Sequence, residues 1–227
     1  MYWLAGFAIA LAVLSLAAVG LLAVRVDRVG KPAFGFLIWN LFLAWIPFVL
    51  SLGVAAVHGR GGPRPLLWVF GAGWLLFLPN APYILTDFIH LGRFGGAPLW
   101  FDAALIGTFA AAGLGLGLAS LLVVHHVVEA RAGRVVGWAV AVTSLVLSAI
   151  GIYLGRFPRF NSWDVITDPH SLVAVVLQRL ADPLGNPFLL RFGVLMSTLL
   201  LGSYLVAWIL GRGIFGPVRD RGRVARH

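Results

Sequence analysis

Six apolar stretches, each about twenty residues long, constrain this chain more than any other feature of it. They run over about 3–24, 34–57, 66–85, 103–128, 135–154 and 188–210. At about 1.5 Å of rise per residue, a helix of that length crosses the roughly 30 Å hydrocarbon core of a bilayer. Lipid offers no partner for an unpaired backbone N–H or C=O, so such segments must be helical. A transmembrane barrel would show short alternating segments instead, and none occurs. Composition closes off the soluble alternatives. Apolar residues make up 60% of the 227 and charged residues 11%, against about 45–50% and 25% in a soluble domain. That leaves too little polar surface for a soluble enzyme and too much apolar surface for a disordered chain. The absence of cysteine excludes a disulfide scaffold, thiolate metal sites and a cysteine nucleophile. The expected fold is all-α: one polytopic transmembrane bundle of about six spans over 1–210, followed by an Arg-rich cytoplasmic tail, 211–227.

The net charge of +9 comes from 17 bases and 8 acids, and Lys31 is the one lysine. In a soluble protein this balance would suggest nucleic-acid binding. Here the bases flank apolar spans, where they anchor helices to headgroups and set orientation, so no nucleic-acid partner is expected. Counting the ends of each span, nine bases fall on the side of the termini and seven on the other, which predicts cytoplasmic termini. The start, Met1-Tyr2-Trp3-Leu4, lacks the basic region of a signal peptide and reads as a retained first span.

Polar chemistry concentrates in the loops of the opposite side. The third span is interrupted at Pro79-Asn80-Ala81-Pro82, where two prolines remove two backbone donors. Tyr83, Thr86, Asp87 and His90 follow. If helix resumes after Pro82, Asp87 and His90 share a face, as proton acceptor and orienter or as two ligands; equally, Thr86 or Asp87 caps a helix end and His90 meets a headgroup. Trp100-Phe101-Asp102 opens the fourth span, where Asp102 is either a carboxylate on the helix dipole or a third member of the same cluster. After the fifth span, Arg156, Arg159, Asn161 and Asp164 alternate with Phe157, Phe160 and Trp163. This segment can hold an anionic headgroup, or its arginines can pair with Asp87 and Asp102. The 169–181 region reads as a short interfacial helix begun by Asp168-Pro169, and Asn186-Pro187 as the start of the sixth span.

Other polar features read as packing. Asn40 is placed to bond across to another helix. His125-His126 point about 100° apart on a helix, a poor metal pair. Ala103, Gly107, Ala111, Gly115 and Ala119, with Gly113 and Gly117, form a small-residue seam on the fourth span. No HExxH, GxSxG or Walker pattern occurs, no metal site is expected, and no motif indicates a cofactor.

Three segments, Phe77 to Leu91 with its Pro-Asn-Ala-Pro-Tyr run, Trp100-Phe101-Asp102, and Gly155 to Asp164, resemble a bacterial membrane-protein family known as domain of unknown function 1361. Asn40-Leu41-Phe42-Leu43-Ala44-Trp45-Ile46-Pro47 also fits it. The resemblance covers roughly residues 35–210, with the first span and the tail peripheral. It implies a small multi-pass inner-membrane protein and supplies no catalytic residues. The functional expectation therefore rests on the residues: a polar pocket at the non-cytoplasmic face lined by Asn80, Tyr83, Asp87, His90, Asp102, Arg156, Arg159, Asn161 and Asp164. Asp87, His90 and Asp102 are its candidate catalytic groups. Asn80, Tyr83, Arg156, Arg159, Asn161 and Asp164 are its candidate ligand contacts, with the bilayer and an anionic lipid as partners. The alternatives are a small-molecule or ion transporter, in which the proline break forms a half-helix site, and a structural subunit of a membrane complex.

Overall fold

The computed structural model describes residues 2–181 and 186–215, and every regular element in them is helical. Asp182 and the arginines of the tail beyond Phe215 lie outside the described residues. The long helices are α1 (Tyr2–Val29), α2 (Phe36–Gly59), α5 (Leu99–Ala132), α6 (Arg134–Arg156) and α9 (Pro187–Phe215). The remaining span is composite. Helix α3 (Arg64–Phe77) is followed by a single turn, α4 (Asn80–Tyr83), and a 3-10 helix, Ile84–His90. These make six segments long and apolar enough to cross a membrane. Two short helices, α7 (Asp164–Thr167) and α8 (Pro169–Ala181), lie between α6 and α9. The starts of α8 and α9 are capped as expected: Ser171 N donates to Asp168 Oδ1 (3.3 Å) and Leu189 N to Asn186 Oδ1 (3.2 Å).

Helix α5 is the axis of the bundle, touching α1, α2, α4, the 3-10 helix, α6 and α9. Its apolar side chains divide into two cores. One joins α1, α2, α4 and the first half of α5 around Phe34, Phe48, Ile84, Leu105 and Phe109. The other joins α3, α6, α9 and the second half of α5 around Trp74, Leu121, Leu145 and Tyr204.

Several helices run past the ends of their apolar stretches, and this changes where the polar residues sit. Helix α1 continues through Arg25, Asp27 and Arg28 instead of stopping before them. The third span continues to His90, so Thr86 and Asp87 are helical rather than part of a connection. Asp102 falls in the first turn of α5 and Arg156 in the last turn of α6.

Two carbonyls exposed by the proline break find new partners within it. Leu78 O cannot accept from Pro82, which has no N–H, and takes Ala81 N instead (3.2 Å). That shift deprives Phe77 O of Ala81 N, its partner in a regular helix, and the Asn80 side chain replaces it (3.0 Å). The carbonyls of Phe77 and Leu78 are thus both paired, as lipid requires. The break can lie flat on its neighbours because they present glycine there. A Cβ at Gly113 would stand 2.5 Å from Ala81 O, one at Gly117 3.1 Å from Ala81 Cβ, and one at Gly151 of α6 2.7 Å from Pro79 Cγ. The seam therefore serves two partners, since Gly115 faces Leu11 of α1. Because the atom opposite Gly113 is backbone, Gly113→Ala is expected to destabilise the protein by about 1–3 kcal/mol through overpacking, read as a lowered unfolding midpoint in detergent. Gly20→Ala on α1, whose Cβ would meet nothing within 4 Å, is the neutral control.

Candidate functional site

The end of α6, the 3-10 helix, the start of α2, the start of α5 and the end of α1 meet at one end of the bundle. Two ion pairs form there.

In the first, Arg156 ends α6 with its guanidinium against the 3-10 helix. Its Nη2 donates to Asp87 Oδ1, and its Nε and Nη2 reach Thr86 Oγ1 at 2.8 and 2.6 Å. Asn40 of α2 donates to the other carboxylate oxygen, Asp87 Oδ2, at 2.8 Å. The guanidinium also lies 4.5 Å above the Tyr83 ring. Asp87 is 1% exposed, so its charge is matched entirely by protein groups. His90 is one 3-10 turn beyond Asp87 and shares its face, as i and i+3 do in that helix. The imidazole does not touch the carboxylate. Its Nε2 lies 3.5 Å from Arg156 Nη1, its ring meets Phe36 edge-on (5.0 Å), and its Nδ1 is buried with no partner among the described residues.

In the second pair, Asp102 accepts from Arg25 Nε (2.6 Å) and Nη2 (3.1 Å). Arg25 also reaches Gly95 O (3.0 Å) and lies over Phe34 (4.6 Å). Arg25 was expected to anchor α1 to headgroups; it is 1% exposed and points inward instead. It continues the buried stripe Leu11, Ser15, Ala18 and Leu22, whose helical spacing brings it onto α5. Asp102 therefore does not join Asp87 and His90, nor does it pair with Arg156 or Arg159. The aromatic rings of Phe34, Phe36, His90 and Phe94 stand between the two pairs, with neighbouring centroids 5.0–6.2 Å apart.

Beside the Arg156 network lies a cleft of about 250 Å³. Trp39, Asn40 and Leu43 of α2 form one wall and Leu75, Leu76, Pro79, Asn80 and Tyr83 of the broken span another. Gly151, Leu154 and Gly155 of α6, the 160–162 segment, Val165 and Leu172 complete it. Asn80 ties the break to the loop by donating to Ser162 Oγ at 2.8 Å. Of the residues expected to line a pocket, Asn80, Tyr83 and Asn161 do so. Asp87, His90 and Arg156 form the network beside it and are not in the lining. Arg159 is exposed in a left-handed backbone (φ 68°), next to Phe160, and no ion pair to it forms among the described residues. Asp164 is occupied locally, accepting from Asn161 N (2.6 Å) and Thr167 Oγ1 (3.0 Å). Among the described residues no group of three or more His, Asp and Glu side chains could hold a metal ion.

Sequence reasoning missed Trp39, Ser162 and Arg25. Ser162 and Trp39 sit beside residues that were singled out, and only the fold shows that they face the same recess. Asn40, expected to bond across helices, does so, and its partner is the site carboxylate.

At the opposite end, His125 is buried between α5, α6 and α9. It is hydrogen-bonded through Nδ1 to Tyr204 OH, edge-on to Trp138 at 5.0 Å, with Glu129 3.8 Å from Nε2. His126 points elsewhere and is exposed.

Six apolar helical segments and paired charges facing inward define a multi-pass membrane protein. The chain belongs to the family described as Protein of unknown function (DUF1361), whose profile matches residues 39–202. No curated protein and no solved structure matches it. The matched stretch contains the whole Asn40–Asp87–Arg156 network and every residue of the cleft, but it excludes Arg25 while including Asp102.

Proposed function

We propose that this protein binds a membrane lipid by its headgroup in the cleft between α2, the broken third span and α6, on the non-cytoplasmic face of a bacterial inner membrane. The observation that carries this reading is the division of the cleft lining. Asn40, Asn80, Tyr83, Asn161 and Ser162 bring polar atoms, while Leu43, Leu75, Leu76, Leu154 and Leu172 bring an apolar wall. An amphiphile at a membrane rim presents the same division. A volume near 250 Å³ is below the roughly 300–1,000 Å³ of drug-sized pockets, so it suits a headgroup with its chains left in the bilayer. In this reading the Arg156–Asp87–Asn40 network holds the cleft's shape by tying three spans together, and Arg159 stands outside the mouth.

A recess at one end of the bundle favours this reading over a transport path, which needs a site reached alternately from both sides. The orientation is supported by the same ion pairs. With Arg25 and Arg156 turned inward, at most six of the eight bases on the cleft side, Arg191 included, are left for headgroups, against nine on the side of the termini. The transmembrane domain is taken as 1–210 and the Arg-rich remainder as a cytoplasmic tail.

The test is lipid retention. Val165 lines the cleft and is 44% exposed, so Val165→Trp fills the recess without disturbing the bundle. Purified wild-type protein is expected to carry bound lipid, seen by native mass spectrometry, and Val165→Trp is expected to lose it. An unchanged lipid complement in a folded Val165→Trp protein would remove the cleft as the binding site.

A second reading is favoured by one observation, the buried, unpartnered Nδ1 of His90. An imidazole with one nitrogen beside Arg156 and the other unused is equipped to exchange a proton once Asp87 and Arg156 separate. It predicts that His90→Ala abolishes a turnover on bound lipid while leaving lipid retention intact.

A further inference from the structure

We infer that the headgroup taken by the cleft is uncharged and rich in hydroxyls, such as a glycosyl head, rather than a bare phosphate. This rests on the proposed lipid-binding reading and names the chemistry of the same site. None of the described lining residues of the cleft carries a charge. The guanidinium of Arg156, beside the cleft, has its charge matched by Asp87 and three of its donor contacts taken by Asp87 and Thr86. A phosphate drawn fully into the cleft would lose its water against an uncharged described lining, with the exposed Arg159 left outside it, which is unfavourable for a buried charge.

The hydrogen-bonding balance of the lining points the same way. The amide nitrogen of Asn80 donates both to Phe77 O and to Ser162 Oγ. Since Phe77 O can only accept, that nitrogen is fixed, and the capacity left on the Asn80 amide is its oxygen. The amide nitrogen of Asn40 is likewise drawn to the Asp87 carboxylate. The amide nitrogen of Asn161 faces Asp164 Oδ2 at 3.5 Å. Asn80 thus has both amide hydrogens taken and Asn40 and Asn161 have one each turned toward the protein, so three carbonyl oxygens and only two amide hydrogens remain for a ligand. Carbonyl oxygens need donors from the ligand. Phosphate diesters have none; hydroxyls do. The Ser162 and Tyr83 hydroxyls can reciprocate as donors, which suits a group that both donates and accepts. Trp39, 54% exposed at the cleft wall, adds an indole face against which the C–H face of a sugar ring can lie, an apolar body beside polar contacts.

The experiment uses the full-length protein in a polyoxyethylene detergent, which carries no sugar. Native mass spectrometry follows retention of three added lipids: glucosyl-diacylglycerol, phosphatidic acid and diacylglycerol. Free glucose and octyl glucoside are offered as competitors, to separate a lipid-borne sugar from a free one. The expected result is that glucosyl-diacylglycerol is retained at least about tenfold better than either other lipid, and that Asn161→Ala weakens it about five- to tenfold. Octyl glucoside should compete, and glucose compete less. Asn161 is exposed at the loop, and circular dichroism with gel filtration confirms that the variant is folded. Val165→Trp should abolish retention of all three lipids. Equal or better retention of phosphatidic acid, still lost in Val165→Trp, would overturn the hydroxyl assignment while leaving the lipid site standing. Retention of all three lipids unaffected by Val165→Trp would overturn both. Competition by glucose as strong as by octyl glucoside would move the source from lipid to free sugar.

Discussion

Arg25→Ala is expected to destabilise the protein by about 3–5 kcal/mol, because it leaves the Asp102 carboxylate buried without its counter-charge. The side chains are 0% and 3% exposed, so no water replaces the guanidinium. The single variant loses the two bonds to Asp102, the bond to Gly95 O and the stacking on Phe34 together. Denaturant unfolding of the purified protein, followed by circular dichroism, measures the effect. The double variant Arg25→Met, Asp102→Leu distinguishes an unpaired charge from lost packing. Removing both charges and keeping the volume should restore most of the stability, as apolar replacement of a buried pair often does. Failure of the double variant to recover would mean that the contact with Gly95 and Phe34 carries the effect. A wild-type midpoint in Arg25→Ala would mean that the pair is not buried in the membrane-embedded protein.

Asp87→Ala is expected to act on the other pair with a similar magnitude, about 3–5 kcal/mol, and to reach further. Asp87 collects Arg156 from α6 and Asn40 from α2 on one carboxylate. Its removal frees the guanidinium and the amide at once, so three spans lose their common anchor and the cleft beside them loses its shape. Asp87→Asn keeps the size and one acceptor and should lie between wild type and Asp87→Ala. The informative measurement pairs stability with lipid retention. Asp87→Asn should weaken retention in step with stability if the network only holds the cleft. Retention kept at the wild-type level, with loss of a chemical conversion of the lipid, would instead assign Asp87 a reactive role beside His90. The stability of Arg156→Ala should drop by a similar amount, and combining it with Asp87→Ala should fall short of the sum, because the two act as one unit.

Part of the site was legible in the sequence. The Pro79–Pro82 break, Asn80, Tyr83 and the polar run after α6 stand out because polar groups are rare and conspicuous in a chain that is 60% apolar. The pairing of Arg156 with Asp87 was one of two readings the residues allowed. The partner of Asp102 was not legible. Arg25 follows an apolar run and precedes Asp27 and Arg28, the pattern of an ordinary span end, and the stripe that carries it inward is no more apolar than the lipid-facing one beside it. In a soluble helix a polar face would have marked which side was buried. In a membrane helix both faces are apolar, so periodicity loses that information. The glycines of α5 were recognisable as a seam, but not that the seam divides between α1 and the proline break.

The sequence by itself determined the number of spans, their helicity and the position of the break, because the bilayer imposes length and complete backbone pairing on any segment that enters it. Only the tertiary structure decided which charge meets which and that the described lining of the cleft is uncharged. Those outcomes depend on helix rotation and on contacts 47–82 residues apart in the chain, and a uniformly apolar surface encodes neither locally.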